Sequence, residues 1–585
     1  MRTPRVSLRA SARASTLALN LLTVVALAGC GGDGGGPVTG PGPNPSQTPI
    51  TLTLGVGEVR TVSAAEAGLL RVTGAQGGAE FTLIPFYGTT SVASIATLEF
   101  SGQELSATAG PPSPEIGHPA AAGPSLSLAP GAPDVATSFE LGLRRAEGDQ
   151  LTPRIPAARA AYAASVGAGR ALASAAAAVP AVGDVMTLNA AASASCAEES
   201  MRTGRVVSVT QRAVVVADNE NPSGGFTDAE YAAIGQEFDA LVDPLVTQFF
   251  GDPTDLDESG GRVTIFFTRA VNELTPAGAR GVVFGYFNAR DVLPKTGDPA
   301  CPASNEAEVL YLIVPDPTGV VNGNRRTKET VRRTITGILA HEYQHLINAG
   351  RRVYVNGART FEETWLNEGL STIAEELMFY RVAGMSPRAN VAVDALLSSA
   401  ARAEALNAYQ VGNFVRVVDH LRYPESTSPF DNLDELATRG ATWQFLRYAA
   451  DQLGTDESVL WQKLVNARTS GVANFNAASG ADFVTMLRDW ATARYVDDAV
   501  PQAASRYQQP SWNYRSILPT LVPNRSFPLR TWALGNGAPF RLVLRAGGAA
   551  YLRFGVASGT TGTVRITLSE GAAPEAVWFT VVRTR

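Results

Sequence analysis

The sequence predicts an α+β fold, in which a mixed sheet with a long helix and a following helical region is flanked by small all-β domains. Three observations indicate this order. Short runs that alternate apolar and polar residues occur over residues 48–110, within a β domain predicted at 48–150. Apolar runs alternate with segments of helical spacing over residues 196–512, and helical spacing dominates the later part of that range. Strand-like runs return over residues 513–585.

Residues 1–29 are typical of an export signal. They carry arginines and no acids, and their apolar stretch, Leu17 to Leu27, is too short to span a membrane. The end of this stretch, Leu-Ala-Gly followed by Cys30, resembles the lipobox of bacterial lipoproteins, which implies cleavage before Cys30 and lipidation of that cysteine. An ordinary signal peptide with a nearby cysteine is the alternative. The Gly/Pro-rich residues 30–47 would serve as a flexible tether.

These features predict a location in the cell envelope or outside the cell, with a membrane contact through the lipid on Cys30. Gly31, in place of an aspartate, favours the outer membrane if the organism has one. The rest of the sequence has no stretch of about eighteen uncharged apolar residues, so no membrane-spanning helix is expected there.

The net charge indicates which partners are expected, and the cysteines indicate how the compartment would affect the chain. The formal net charge is −6, and it becomes −10 without the signal, because residues 1–29 hold four arginines and no acid. No basic stripe offsets this charge, so nucleic acid is not expected as the main partner. Besides Cys30 the chain has only Cys196 and Cys301, which in an oxidising compartment form one disulfide or otherwise remain buried thiols.

The region before the core is predicted to be a small β domain and a linker. Strand-like runs include "ITLTLGVGEVRTV", "EFTLIPFY" and "SIATLEFSG", and "TSFELGLRRA" is predicted to add a last strand to the domain at 48–150. Residues 151–195 are Ala-rich, low in complexity and poor in large apolar side chains, which predicts a linker with some helix.

The core, residues 196–512, is predicted to contain a buried sheet next to a long helix. "GRVTIFFT" and "EVLYLIVPD" are apolar enough for central strands. Either residues 282–291 or residues 308–316 could form the sheet edge that pairs with an extended peptide. The segment that follows, "KETVRRTITGILAHEYQHLINA", has helical spacing.

This predicted helix carries two of the four histidines in the chain. His341 and His345 are four residues apart, so they lie on one face of a helix, one turn apart. Two imidazoles placed in this way can bind one metal ion, and Glu342 can reach a water molecule on that ion. A chance match on a surface helix is the alternative.

A second predicted helix supplies a third ligand. In "FEETWLNEGLSTIAEELMFY", residues 361–380, apolar residues recur at helical spacing, and Glu368 and Glu375 lie two turns apart on a neighbouring face. Catalytic zinc takes three protein ligands and keeps one position open for water. Glu368, together with His341 and His345, completes such a set.

The two motifs together resemble those of a known family. H-E-x-x-H followed by W-L-N-E-G is similar to the signature of the gluzincins, the thermolysin-like and related zinc peptidases. "HEYQHLINAG" with "ETWLNEGLSTIAEE" is most similar to the hyicolysin-type neutral metalloproteases. The resemblance is sharp over about residues 330–380 and diffuse over about residues 196–500. It implies a zincin-like catalytic domain.

The resemblance also implies a role for each motif residue. His341, His345 and Glu368 would bind zinc, and Glu342 would be the general base that takes a proton from a water molecule and delivers it to the leaving amine. Glu375, seven residues after the third ligand, would accept the free N–H of a zinc-bound histidine and fix its orientation.

The group that stabilises the transition state is not specified by the motifs. Candidates between the ligand helix and the helical tail are His420, Tyr409, Tyr423 and Arg439. His420 is the first choice, because thermolysin-like enzymes use a downstream histidine for this purpose.

A calcium ion is considered at "GDPTDLDESGGRV", where Asp252, Asp255, Asp257 and Glu258 cluster. The spacing does not match an EF-hand, and an acidic turn before a strand is the alternative.

The sequence therefore predicts a lipid-anchored, zinc-dependent endopeptidase that acts on proteins or peptides outside the cytoplasm. No G-x-M-E-N motif precedes the zinc helix, which disfavours an aminopeptidase. The alternative from another class is a surface binding or adhesion lipoprotein with a silent zincin domain. The intact Glu342 argues against a silent domain, because loss of the general base is a simple route to inactivity.

Overall fold

The computed structural model describes residues 49–108, 134–167, 179–257, 259–431, 436–454, 456–568 and 574–585. The predicted signal peptide, Cys30 and the tether lie outside these ranges. None of the described helices is both long and apolar enough to cross a membrane.

The described strands fall into three groups along the chain. The first group is β1 (Ile50–Leu52), β2 (Val59–Ser63), β3 (Leu69–Thr73), β4 (Ala79–Tyr87), β5 (Ile95–Gln103) and β6 (Ser106–Ala107). The second group is β7 (Val185–Asn189), β8 (Met201–Val209), β9 (Ala213–Asp218), β10 (Val263–Phe267), β11 (Gly285–Phe287) and β12 (Val309–Leu312). The third group is β13 (Trp532–Ala533), β14 (Phe540–Arg545), β15 (Leu552–Val556), β16 (Thr561–Leu568) and β17 (Val577–Arg583).

The described helices lie before, within and after the second group of strands. Those before it are α1 (Val135–Ala146) and α2 (Ile155–Gly167), and those within it are α3 (Asp228–Glu237), α4 (Asp243–Phe250) and α5 (Arg269–Glu273). The later helices are α6 (Lys328–Gly350), α7 (Thr364–Ala383), α8 (Val393–Leu396), α9 (Ala400–Tyr409), α10 (Val411–Arg422), α11 (Leu436–Leu453), α12 (Ser458–Val465), α13 (Gly471–Ser479), α14 (Phe483–Val496) and α15 (Tyr514–Ile517). A mixed α+β fold with several sheets and a helical region after the central sheet is thus confirmed.

Strands from the two ends of the described chain form one β-sandwich. One sheet has the order β1-β3-β16-β5-β14 and the other has the order β13-β15-β4-β17-β2. The inner faces share one apolar core, in which the rings of Phe100 and Phe579 from opposite sheets lie 6.3 Å apart. The sequence predicted separate β domains at 48–150 and 513–585. Their strands instead pair with each other, because each set alone would leave unpaired strand edges and an uncovered apolar face.

The central sheet has the order β11-β12-β10-β9-β8-β7. Strands β9, β10 and β12 are parallel, and β10 and β12 are buried along their whole length, which is typical of strands covered on both faces. Strand β11 pairs antiparallel to β12 and lies at one end of this order. Of the two candidate edges, the segment 282–291 is therefore the one that lies at the end of the described sheet.

The region predicted as a last strand and a linker has a different structure. Residues 135–146 form α1, and the Asp134 side chain accepts hydrogen bonds from the backbone N–H groups of Ala136 and Thr137. The strand prediction was wrong, since apolar residues at 139, 141 and 143 fit a period of two, while 139 and 143 also fit one helical face. The predicted linker 151–195 contains α2 and also contributes β7 to the central sheet.

Cys196 and Cys301 form a disulfide across a sequence separation of 105 residues. The structure thus shows one disulfide rather than two buried thiols. The bond joins the β7–β8 connection to the β11–β12 connection, and Ala303 N–H also donates to Cys196 O at 3.0 Å.

We expect Glu308→Gln to stabilise the protein at alkaline pH. Glu308 is 1% exposed, and burial, followed by the charge of Asp257, raises the pKa of its carboxyl to about 8. The unfolded value is about 4.3, so the folded state holds this proton more tightly. Stability should therefore fall by up to about 1.4 kcal/mol per pH unit between about pH 4.3 and pH 8.

Chemical denaturation across this pH range should show a smaller slope for Glu308→Gln than for the wild type. Glu306→Gln, at an exposed position two residues away, is the matched control and should keep the wild-type slope. Identical slopes for Glu308→Gln and the wild type would contradict the prediction.

Candidate metal centre

Two packed helices, α6 and α7, bring the predicted ligands together. His341 Nε2 lies 3.5 Å from Glu368 Oε2, and His345 Nε2 lies 3.6 Å from Glu368 Oε1. One potential ligand atom from each of these three buried residues lies within 4.8 Å of the other two. Gly369 helps to place α7, because a Cβ atom at this position would lie 2.6 Å from side-chain atoms of α11.

The chemistry of these side chains fits a metal ion such as zinc. His345 Nε2 and both carboxylate oxygens of Glu368 are buried and make no hydrogen bond with the part of the chain that the structure describes. Buried polar atoms without such partners are rare and require an explanation. Two imidazole nitrogens and a carboxylate that face one another match the donor set of His2Glu zinc sites.

Each histidine is oriented through its other ring nitrogen. His341 Nδ1 lies 2.6 Å from Glu375 Oε1, and His345 Nδ1 lies 3.0 Å from Asn367 Oδ1, which also accepts from Asn348 Nδ2 at 2.8 Å. Both Nδ1 atoms would then carry the proton, so both Nε2 atoms face Glu368 as acceptors. Glu375 lies where the sequence places it. Asn367 was missed, although it immediately precedes Glu368 in W-L-N-E-G.

The two imidazoles differ in their electrostatic surroundings. Burial disfavours the imidazolium form of His341, but the carboxylates of Glu368 and Glu375 raise its pKa well above the ordinary value. Burial and the nearby positive charge of Arg144 lower the pKa of His345 to about 4. His345 is therefore neutral at pH 7, as a metal ligand must be.

Glu342 is buried beside the ligand cluster and is not part of the group formed by the other three residues. Its Oε2 accepts a hydrogen bond from Phe287 N–H on β11 at 2.8 Å. Burial raises the pKa of its carboxyl to about 7, although the positive charge of His341 acts in the opposite direction. A carboxyl with a pKa near neutrality can both accept and return a proton.

Two arginines adjoin Glu368, and the sequence motifs do not reveal either position. Arg144 Nε from α1 lies 3.4 Å from Glu368 Oε1, and Arg439 Nη1 from α11 lies 3.2 Å from Glu368 Oε2. Although burial acts to raise it, the pKa of Glu368 is well below its ordinary value because Arg439 and His345 lie close by. Gly440 lets α11 pack against α10, because a Cβ atom there would lie 2.2 Å from the backbone of Arg416.

The ring of His420 contacts residues outside the candidate metal centre. It is fully buried in α10, its Nδ1 lies 2.7 Å from Thr427 Oγ1, and its Nε2 contacts Arg494. Its ring stacks on Trp490. Because both ring nitrogens contact protein groups, the structure does not support the predicted role of His420 as a transition-state donor. Of the other candidates, Arg439 contacts Glu368.

The described acidic side chains of the possible calcium loop do not fall within a group of three or more that could hold a metal ion. Two groups of described residues could hold a metal ion. One is His341, His345 and Glu368, and the other is Glu140, His341 and Glu342. Neither includes Asp252, Asp255 or Asp257, and Glu258 lies outside the described residues.

We expect Glu375→Gln to weaken zinc binding by roughly 10–100-fold, because the amide is a poorer acceptor for the N–H of His341. Zinc affinity can be measured by competition with a chromophoric chelator. Glu404→Gln is the matched control, since it removes a carboxylate from the exposed pair with Arg333. Equal affinities for Glu375→Gln and the wild type would show that Glu375 does not orient a ligand.

Comparison with known proteins supports the same chemistry over part of the chain. A segment of 164 residues is 32% identical to the neutral metalloprotease ShpI of Staphylococcus hyicus. The match covers 28% of this chain and 33% of that relative, so the chain spans about a third of the relative's length. No family model matches the chain. Part of this protein is thus similar to a metalloprotease, and its buried His341, His345 and Glu368 form a group that could hold a metal ion.

Proposed function

We propose that this protein is a zinc-dependent endopeptidase that acts outside the cytoplasm. The observation that carries the proposal is the buried convergence of His341, His345 and Glu368, in which His345 Nε2 and both Glu368 oxygens lack hydrogen-bond partners among the described residues. The partial similarity to a neutral metalloprotease supports a metallopeptidase. A zincin-like fold is part of the proposal, supported by the mixed sheet next to α6 and α7.

The residues around the cluster supply the other parts of the reaction. When bound, zinc supplies Lewis acidity, which makes water a nucleophile at neutral pH. The Glu342 carboxylate accepts the proton of the attacking water and transfers it to the amide nitrogen that leaves. Glu375 and Asn367 hold the two imidazoles in place through Nδ1 during these proton transfers.

Strand β11 favours cleavage within chains. It lies at the end of the central sheet and carries Phe287, whose N–H contacts Glu342. An extended peptide that pairs with this edge would pass the cluster with residues on both sides of the cleaved bond. The substrate is therefore a protein or peptide in an extended conformation.

The proposed location rests on the export signal and on the disulfide. A bond between Cys196 and Cys301 is expected in an oxidising compartment and is rare in the cytosol. Lipidation at Cys30 would hold the protein at a membrane surface, with residues 30–47 as the tether.

Metal removal tests the proposed activity. The purified protein should contain one zinc ion per chain and cleave casein, and a chelator should abolish cleavage until zinc is restored. The comparison protein is Glu368→Gln, which should lose zinc and activity together. Stoichiometric zinc without cleavage of casein or of a varied peptide library would favour a binding protein instead. Rapid release of single N-terminal residues from aminoacyl-nitroanilides would indicate an aminopeptidase.

A further inference from the structure

Helix α1 and the turn that follows it contact the candidate metal centre directly. This part of the chain, residues 134–151, precedes the metal-ligand helix by almost 200 residues in sequence. Three of its side chains, Glu140, Arg144 and Glu147, contact the cluster, strand β11 or the turn directly after β11. We call residues 134–151 the covering segment.

Glu140 brings an additional carboxylate to the cluster. One of its oxygens, a ring nitrogen of His341 and an oxygen of Glu342 lie within 4.8 Å of one another. Arg439 Nη1 contacts both Glu140 and Glu368, so the extra carboxylate is held next to the third ligand. Asp and Glu carboxylates coordinate zinc in other proteins, so Glu140, which shares His341 with the three candidate ligands, has the chemistry of an additional ligand.

The covering segment also forms hydrogen bonds with backbone groups of β11 and of the turn after it. Arg144 Nη2 donates to Phe287 O at 2.9 Å, and Glu147 Oε1 accepts from Ala289 N–H at 2.7 Å. Phe139 packs edge-to-face on Tyr286 of the same strand at 5.7 Å. A peptide that adds to this edge needs such N–H and C=O groups. The covering segment and a substrate peptide therefore compete for the same atoms.

These contacts are specific, because they involve buried charges that compensate one another. Arg144 and Glu147 are 6% and 3% exposed and form an ion pair at 2.6 Å, with Glu368 a further partner of Arg144. Burial of an unpaired guanidinium would cost several kcal/mol, so Arg144 can occupy this place only when these carboxylates surround it. The covering segment and the cluster are thus matched in charge.

From this arrangement we propose that the covering segment is an internal inhibitor of the metal centre. Glu140 takes the position at the metal that the reacting carbonyl group needs, while Arg144 binds the strand edge that the peptide needs and Glu147 binds the turn directly after it. The segment must withdraw before a substrate can bind. The inference rests on the proposed metal centre but does not require that the protein cleave peptides.

Acetohydroxamate, a small zinc-binding probe, tests the inhibitor without relying on peptide cleavage. The zinc-loaded full chain is titrated with the probe as wild type, Glu140→Gln and Glu140→Ala. Both variants should bind the probe at least tenfold more tightly, because no carboxylate competes for the metal. Asp149→Asn is the matched control, since Asp149 is an exposed carboxylate in the same segment, and it should behave as the wild type. Equal affinity in the wild type and both Glu140 variants would overturn the proposal.

Hydrogen exchange provides a second measurement that does not depend on a variant. Saturating acetohydroxamate should increase amide exchange across residues 135–146 of the wild type, because the probe displaces α1. Bound probe with unchanged exchange in α1 would contradict displacement. Tighter probe binding by Glu140→Ala without any peptide cleavage would support the proposed inhibitor and contradict the proposed endopeptidase activity. Peptide cleavage with unchanged probe binding would support the endopeptidase activity and contradict the proposed inhibitor.

Discussion

Glu342→Gln should reduce peptide hydrolysis by roughly 10²–10⁴-fold while leaving zinc binding within about twofold of the wild type. Glu342 is not one of the three converging ligands, so its replacement should not remove the metal. The glutamine oxygen can still accept the hydrogen bond from Phe287 N–H, which keeps the local structure. What the amide cannot do is accept a proton from water. The measurement is kcat/KM on a fluorogenic peptide, with zinc content determined on the same samples.

The control is Glu329→Gln, which removes an exposed carboxylate from the first turn of the same helix and should keep full activity. Wild-type activity in Glu342→Gln would show that another group is the base. Loss of zinc together with activity would show instead that Glu342 is a ligand.

The double variant Cys196→Ala/Cys301→Ala should lose up to about 4.7 kcal/mol of unfolding free energy. In the chain-entropy account, a loop of 105 residues gives roughly this value, because the bond restricts the unfolded chain. The free energy of unfolding can be measured by denaturant titration under non-reducing conditions. The wild type in reductant is the comparison and should approach the double variant. Equal unfolding midpoints for the double variant and the oxidised wild type would contradict the prediction.

The bond also supports the site, so the same variant should show a functional effect. Backbone oxygens of residues just before Cys196 accept hydrogen bonds from the segment that contains β11. Tyr286 Oη donates to Ala190 O at 2.9 Å, and Asn288 Nδ2 donates to Ser193 O at 2.8 Å. We expect a higher KM for peptides in the double variant, with little change in zinc affinity, because the ligands lie on α6 and α7.

The position of the candidate ligands could be predicted because much of their geometry is local. His341 and His345 lie on one helix face by virtue of a four-residue spacing, and Glu375 follows Glu368 by two helical turns. The amphipathic pattern of α7 also identified it as a packed helix. Asn367 was available to the same reasoning, since it adjoins Glu368, but its contact with His345 depends on how α6 and α7 cross.

Other parts of the site depend on contacts between distant parts of the sequence. Arg144 lies in a segment predicted to be a strand, and Arg439 lies in a helix with no motif, so nothing near them indicates Glu368 as a partner. His420 was chosen by analogy with a downstream histidine, and its burial between Thr427 and Arg494 was not visible in the sequence. Alternation of apolar residues likewise identified the strands of the sandwich but not their partners.

The sandwich places the final described strand, β17, between β4 and β2, about 500 residues earlier in the chain. During synthesis β2 and β4 keep open hydrogen-bonding edges until the residues of β17 have been made. Such non-local pairing is slow and exposes the growing chain to aggregation. Chaperones that shield strand edges would therefore be most needed for β1 to β6, while they lack their partner strands.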